Sequence, residues 1–410
     1  MTDEVANLVL RDNELQTLAI SVMENQKNKI VEQNIRLMEY LEKQGKLDRN
    51  IEFLPNNESL HSRAMQKQGL TRPELSVLLA YSKLYVFDDL ISSNLPDDPY
   101  LVKDLILYFP SEMRKKFEEE IINHQLRREI IATFVSNSIV NRMGSTYYHR
   151  VKEETGMKGC DIARAYTIVR DSYDLRGLWD SIEEIGSKVS NEISMELYGE
   201  IDLLMERATT WYLRNCPQPL QTEDMVEIYQ PAISEINKNL ESITNNVIKK
   251  ARNERLKHYV NNGVPKDLAN KIANLEALSS ATDIALVASR TGLPVKLVGQ
   301  VYFEIGNKFK IGWLRIEARN LLSDSHWSNL ATKTLIGTFF DQQMKLTEDV
   351  LKTGCPDGSH QLSLEKWLKN KKKVVMRYNN FINDLRDEER LNHSMLTVAV
   401  ERVEAILNEK

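Results

Sequence analysis

Apolar residues recur along this chain at three- and four-residue spacing, and nowhere in sustained alternation. The first clear case follows Thr71-Arg72-Pro73-Glu74. Thr at the N-cap with Glu three residues on has the form of a capping box, in which each side chain satisfies a backbone N–H left open at the helix start. Pro73 falls in the first turn, where its missing N–H costs nothing. The helix it opens is expected to bury Leu75, Leu78, Leu79, Leu84 and Phe87 and to end near Asn94-Leu95-Pro96. A second helix, from about Gln125, carries Leu126, Ile130, Ile131, Phe134, Val135 and Ile139, a wide apolar stripe.

Two longer seams follow. Ile193, Leu197, Ile201, Leu204, Ala208 and Trp211 form one; Ile233, Ile236, Leu240, Ile243 and Val247 form the other. Between them lies Cys216-Pro217-Gln218-Pro219. Heptad-like spacing on both sides of a short connection predicts an antiparallel helical hairpin. The proline-bearing connection marks the strongest domain border, which gives three regions: an N-terminal helical segment over 1–70, a helical domain over 71–215 and a second bundle over 216–410. A weak repeat is also visible. Thr155-Gly156 is followed by Ile162, Ala165, Tyr166, Val169, Tyr173 and Leu175. Thr291-Gly292 is followed at the same offsets by Val298, Val301, Tyr302, Ile305, Phe309 and Ile311. Each copy, about 151–178 and 287–314, reads as helix, Thr-Gly turn, helix. The fold class is therefore all-α: a multi-helix bundle with long antiparallel hairpins and helix-turn-helix-like packing modules.

Composition supports this and narrows function. Only 16 glycines and 11 prolines interrupt 410 residues, so long helices are favoured. Hydrophobic content of 42% and charged content of 28% are ordinary for a globular protein. A net charge of −5 supplies no global basic field for nucleic acid. No apolar run is long enough for a bilayer. Cys160, Cys216 and Cys355 are few, odd in number and far apart, which fits a reducing cytoplasm rather than a disulfide framework.

Chemistry is hard to find. Gly-x-Gly is absent, and with it the dinucleotide fingerprint. A phosphate loop is absent too, and none of the seven histidines stands within one helical turn of another. Single candidates each have a plainer reading. Asp97-Asp98 before Pro99 suits loop and N-cap duty better than an acid pair. Cys160 stands at a helix start, where a thiol can be activated, but a small entry residue serves equally. His124 and His149 flank an apolar helix as ordinary surface or satisfied histidines. The five tryptophans are expected in the core. Lys366, Lys369, Lys371, Lys372, Lys373 and Arg377 form a basic run that Asp384, Asp387, Glu388 and Glu389 offset. Ala288 through Val298 has the rhythm of a DNA-reading helix-turn-helix. Its second helix, however, offers Lys296 alone among apolar neighbours, where phosphate contacts need several cations.

Several longer strings say more. TRPELSVLLAYSK (71–83), LPDDPYL (95–101), LRREIIATFVSNSIVNRMG (126–144), EETG (153–156) and RATTWYLRN (207–215) closely resemble the C-terminal region of the large bacterial NAD-specific glutamate dehydrogenases. The opening MTDEVANLVLRDN resembles the stretch that follows that family's nucleotide-binding domain, and TGLPVKLVGQVYFEIG and MLTVAVERVEAI its closing segments. The resemblance implies a parent enzyme that uses NAD to oxidise L-glutamate to 2-oxoglutarate and ammonium. It also implies that Met1 is internal to a longer polypeptide, and that residues 1–50 brace the catalytic unit. The family's catalytic lysine and aspartate precede the matched region. No catalytic, cofactor-binding or metal residue is therefore assigned, and no cofactor is expected on this chain. The expected partners are the catalytic domains of its own polypeptide and further copies in a homo-oligomer, with neither nucleic acid nor membrane. A non-catalytic region for assembly or regulation is the leading expectation. An independent interaction module, or less favourably a helix-turn-helix DNA-binding protein, is the alternative.

Overall fold

The structure, a computed structural model, describes residues 2–186, 188–323, 325–354 and 360–409. Cys355 lies outside these residues. Every regular element among them is helical. In chain order come α1 (Thr2–Gln26), α2 (Val31–Lys43), α3 (Asn57–Met65), α4 (Arg72–Ile91), α5 (Val102–Tyr108), α6 (Ser111–Lys116), α7 (Glu118–Ile122) and α8 (Arg127–Met143). Then follow α9 (Tyr147–Thr155), α10 (Gly159–Ser172), α11 (Leu175–Ile185), α12 (Asn191–Asn215), α13 (Thr222–Ile243), α14 (Asn246–Asn261) and α15 (Lys266–Leu278). The last are α16 (Ala281–Thr291), α17 (Val295–Lys308), α18 (Ile311–Arg319), α19 (His326–Lys352), α20 (His360–Asn370), α21 (Lys372–Arg386) and α22 (His393–Asn408).

The chain forms two compact units that share it in alternation. One comprises Met1–Val169 and Thr209–Met225, the other Arg170–Ala208 and Val226–Lys410. The connection at 216–219 thus falls inside the first unit.

In the first unit α4 packs on α8, and α1 lies against both. The start of α4 is built as its sequence suggests: the Glu74 carboxylate accepts the Thr71 N–H at 2.6 Å, and Arg63 donates to both of its oxygens at 2.9 and 3.0 Å. Leu75, Leu78 and Leu79 are buried, but Leu84 is 59% exposed. Nine residues beyond Leu75 is two and a half helical turns, which turns Leu84 to the opposite face. Tyr85, Val86 and Leu90 continue the buried stripe instead. On α8 the stripe is Ile131, Val135 and Ile139, whereas Leu126 precedes the helix and is exposed.

The second unit is organised on the 27-residue α19, which packs against α16, α17, α18 and α22. An aromatic knot joins α17 to the C-terminal helices: Phe309 meets Trp367 at 6.0 Å and Tyr378 at 5.5 Å. The Tyr378 hydroxyl donates to the Phe309 carbonyl at 2.6 Å. All the expected seam residues of α12 are buried, and so are Ile233, Ile236, Leu240 and Ile243 of α13. Val247 is not. The helix stops at Ile243, and Asn245 caps a new one by accepting the N–H groups of Val247 and Ile248 at 3.0 and 3.1 Å. The seam therefore ends four residues early.

The repeat is real at residue resolution. Adding 136 to Gly159 and Ser172, the ends of α10, gives Val295 and Lys308, the ends of α17. Gly156 and Gly292 both end their helices in the left-handed region, at φ 67° and 69°, where a Cβ is disfavoured. Thr155 and Thr291 each donate back to the valine carbonyl four residues earlier, at 2.6 and 2.7 Å. Asp174 and Lys310, also 136 apart, enter α11 and α18 at φ 52° and 51°. Tyr166 and Tyr302 are both fully buried.

Candidate functional site

The sequence candidates land in structural roles. Asp98 caps a short turn by accepting the Tyr100 N–H at 3.0 Å and also accepts from the Thr222 hydroxyl at 2.6 Å. Asp97 pairs with Arg128. The two acids face different partners and form no acid pair. His124 accepts the Leu126 N–H at 3.1 Å, a turn contact. Cys160 is the second residue of α10 and only half-buried. In the basic run, Lys371 donates to the Ile406 and Leu407 carbonyls at the end of α22, at 2.8 and 3.4 Å. That is the expected use of a cation at a helix C-terminus. Trp179, Trp211 and Trp367 are core residues, but Trp327 is 72% exposed, against expectation. Trp327 lies in the first turn of α19, before the helix reaches its buried stretch. The second helix of the DNA-binding rhythm, α17, is packed against α16, α18, α19 and α20. Its buried face carries Val298, Val301, Tyr302 and Ile305.

Two buried polar clusters were not foreseen. In the first unit, His149 packs against Tyr40 with ring centroids 4.6 Å apart, and Tyr85 lies 5.2 Å from Tyr40 and 5.6 Å from Tyr148. The Tyr148 hydroxyl donates to Asp89 at 2.8 Å, and Lys152 donates to the same oxygen at 2.9 Å. Burial, then the Asp89 charge, push the Tyr148 hydroxyl well up. Gly159 permits this arrangement, since a Cβ there would stand 1.7 Å from the Tyr148 oxygen. Nearby, Arg36 grips Glu153 through two bonds of 2.6 and 3.1 Å. On α4, burial brings Lys83 down to about 8 while Asp12 opposes the shift.

In the second unit, Asp283 is fully buried and accepts from Arg207 at 3.1 and 3.3 Å and from the Tyr302 hydroxyl at 2.9 Å. Arg207 and Arg315 place their guanidinium carbons 4.0 and 3.9 Å from the Phe340 centroid. Two such groups so close to one ring must lie on opposite faces, a cation–π sandwich. Gln343 ties it off: it accepts from Arg315 at 3.3 Å and donates to the Tyr302 carbonyl at 2.9 Å. Burial holds Arg315 below its usual range and Tyr302 above its own. Breaking a buried ion pair of this kind typically costs roughly 3–5 kcal/mol. A lone buried aspartate in an otherwise apolar helix (ATDIALVA, 281–288) was the only sequence signal for it.

Neither cluster unites a nucleophile with a base and a place for a reacting atom. Among the described residues, no group of three or more His, Cys, Asp or Glu side chains is placed to hold a metal, and no helix is long and apolar enough to cross a membrane. The arrangement can hold helices together and present surfaces. Residues 67–405 match the family model described as glutamate dehydrogenase, C-terminal. The chain belongs to the glutamate dehydrogenase C-terminal family. NAD-specific glutamate dehydrogenases of Pseudomonas aeruginosa and Halomonas elongata are 34% and 32% identical to it over 97% and 98% of its length. That of Mycobacterium tuberculosis is 27% identical over 98%. This chain spans 25% of the length of each of these relatives.

The C-terminal family model begins at residue 67, so α1, α2 and α3 lie ahead of it. That leading stretch holds the two most exposed large apolar side chains among the described residues, Phe53 at 89% and Met65 at 87%. Val5, Val9, Leu10 and Ile51 are exposed there as well. The loop that presents Phe53 is firmly held. Glu52 accepts from Tyr81 at 2.6 Å, and Arg49 donates to Glu42 and Asn57 at 2.7 Å each. Phe53 itself sits at φ 54°, a conformation that bulky side chains avoid. A pinned loop therefore turns an aromatic ring outward at a backbone cost.

Proposed function

We propose that this chain is a non-catalytic helical region of an NAD-dependent glutamate dehydrogenase and serves the assembly or regulation of that enzyme. The parent would oxidatively deaminate L-glutamate to 2-oxoglutarate and ammonium, with NAD held by its other portion. The observation that carries the reading is the held loop that exposes Phe53, within a stretch of exposed apolar side chains over residues 1–66 just ahead of the C-terminal family model. Exposed apolar side chains concentrated on held backbone mark a docking surface. The dehydrogenase portion that precedes this region in the relatives is its proposed partner. Membership of the glutamate dehydrogenase C-terminal family supports the link to such a parent enzyme.

Glutamate-dependent NAD reduction tests this, measured for this chain alone, for the preceding dehydrogenase portion alone and for the two combined. We expect no turnover from this chain. In combination, the activity or melting temperature of the dehydrogenase portion should rise, and Phe53→Glu with Met65→Glu should abolish the gain. Turnover by this chain alone, or a combination no different from its parts, overturns the reading.

A further inference from the structure

Polar and aromatic contacts join α2 to α9. The Thr146 hydroxyl, just ahead of α9, donates to Gln33 at 3.1 Å, Arg36 grips Glu153, and the ring of Tyr40 lies 4.6 Å from that of His149. The last two contacts meet at one oxygen. Glu153 Oε2 accepts from Arg36 Nε at 3.1 Å and lies 3.6 Å from His149 Nε2, whereas Oε1 takes the shorter Arg36 bond of 2.6 Å. His149 is buried, and neither of its ring nitrogens makes a hydrogen bond. Buried polar groups are as a rule hydrogen-bonded, so the ring stands beside a carboxylate that it does not use. His149 and Glu153 are four residues apart on α9, the spacing at which side chains of one helix meet.

The other groups around the ring come from three helices. Tyr40 and Arg36 reach it from α2, Tyr85 from α4, and Lys152 from α9 itself. Lys152 is held by Asp89 of α4 at 2.9 Å, and that oxygen also accepts from the Tyr148 hydroxyl. Burial, reinforced by Arg36 and Lys152 and opposed by Glu153, favours the neutral ring.

We propose that proton uptake at His149 trades the contacts between α2 and α9 for one within α9, and so loosens the loop that presents Phe53. An imidazolium is drawn to the nearest carboxylate oxygen. Closing 3.6 Å to the roughly 2.8 Å of a charge-assisted bond brings the ring onto Glu153 Oε2. That movement takes the ring from Tyr40 and takes from Arg36 the oxygen on which its Nε bond depends. The new cation also repels Arg36, which lies on α2. Leu37, Met38 and Leu41 are fully buried and keep α2 seated, so the effect is a loosening rather than a detachment. It passes onward because Glu39 and Glu42 of α2 accept from Asn57 and Arg49, at 2.5 and 2.7 Å, on either side of Phe53. The latch is closed with the ring neutral and opens as pH falls below the unfolded value of about 6.5. The use of the Phe53 loop as a docking surface rests on the proposed function; the latch does not.

Hydrogen exchange of the intact chain at pH 7 and pH 5, corrected for intrinsic rates, tests the latch. In the wild type the protection of α2 and of residues 49–57 should fall about fivefold with acidification, the size of one modest side-chain coupling. His149→Phe keeps a ring against Tyr40 but takes up no proton, and it should show no such fall. Arg36→Met should have the lowered α2 protection already at pH 7, which supplies the test again should His149→Phe fold poorly. A wild type without the fall, an equal fall in His149→Phe, or full α2 protection in Arg36→Met at pH 7 each overturns the proposal. Binding of the preceding dehydrogenase portion, measured at both pH values, separates the two readings. Binding at neither pH removes the docking surface and leaves the latch, whereas unchanged α2 protection removes the latch whatever the binding.

Discussion

His149 is 5% exposed, and neither of its ring nitrogens makes a hydrogen bond. The charged groups around it come from two helices: Glu153, whose oxygen is 3.6 Å from Nε2, and Lys152 on α9, with Arg36 on α2. The neutral rings of Tyr40 and Tyr85 complete its surroundings. Burial lowers its pKa, Glu153 opposes, and Arg36 and Lys152 reinforce the lowering. The folded value therefore lies below the unfolded value of about 6.5. The unfolded state binds the proton more readily, so the stability from the neutral ring is present above about 6.5 and is lost as pH falls through the folded value. We expect thermal unfolding of the wild type to weaken from pH 7 to pH 5, and His149→Phe to remove part of that slope. At pH 7 the variant should match or exceed the wild type by about 1 kcal/mol, because a buried polar group without partners is replaced by an apolar one. Identical pH slopes for the two proteins would show that His149 does not titrate in this way. Nothing in the sequence distinguished His149 from His124. Their difference arises from Tyr40 and Tyr85, which are far from His149 in the chain.

The Thr-Gly helix endings were legible because they rest on local chemistry. A glycine after an amphipathic run supplies the left-handed residue that closes a helix, and Gly156 and Gly292 do so. The left-handed residues two positions after α10 and two after α17 were not legible, since Asp174 and Lys310 carry side chains. They are held there by the burial of Leu175 and Ile311 just beyond them. The same contrast explains Val247: its spacing continued the α13 seam, but the Asn245 cap, a stronger local signal, starts a new helix there. A Cβ on Gly292 would meet nothing within 4 Å, so substitution there isolates the backbone cost. Gly292→Ala should destabilise the protein by roughly 1–2 kcal/mol, and Gly292→Asn by less, because asparagine tolerates this region. Denaturant titration measures both. Equal stability of all three proteins would mean that the turn relaxes to another conformation.

At the scale of the whole chain, the all-helical class followed from periodicity, because apolar stripes and scarce breakers are summed over many residues. The division into units did not, because it depends on contacts between distant segments. The sequence places its strongest border at the prolines of 216–219, yet α12 and α13, on either side of them, each run through both compact units. The chain passes between units at 169/170, 208/209 and 225/226. Separating it within the proline connection would strip the first unit of residues 216–225 and the second of residues 170–208. The lost pieces are core. Leu197, Ile201 and Leu204 are fully or almost fully buried, and so is Leu220. Removing a continuous buried segment leaves far more apolar surface open than the few hundred Å² that a stable monomer exposes. We therefore expect fragments 1–215 and 216–410, made separately, to lack the cooperative melting of the intact chain. Co-expressed, they should recover it, because the missing stretches then come from the other fragment. A 216–410 fragment that unfolds cooperatively by itself, at the temperature of the intact protein, would show instead that the bundle beyond the prolines is an independent domain.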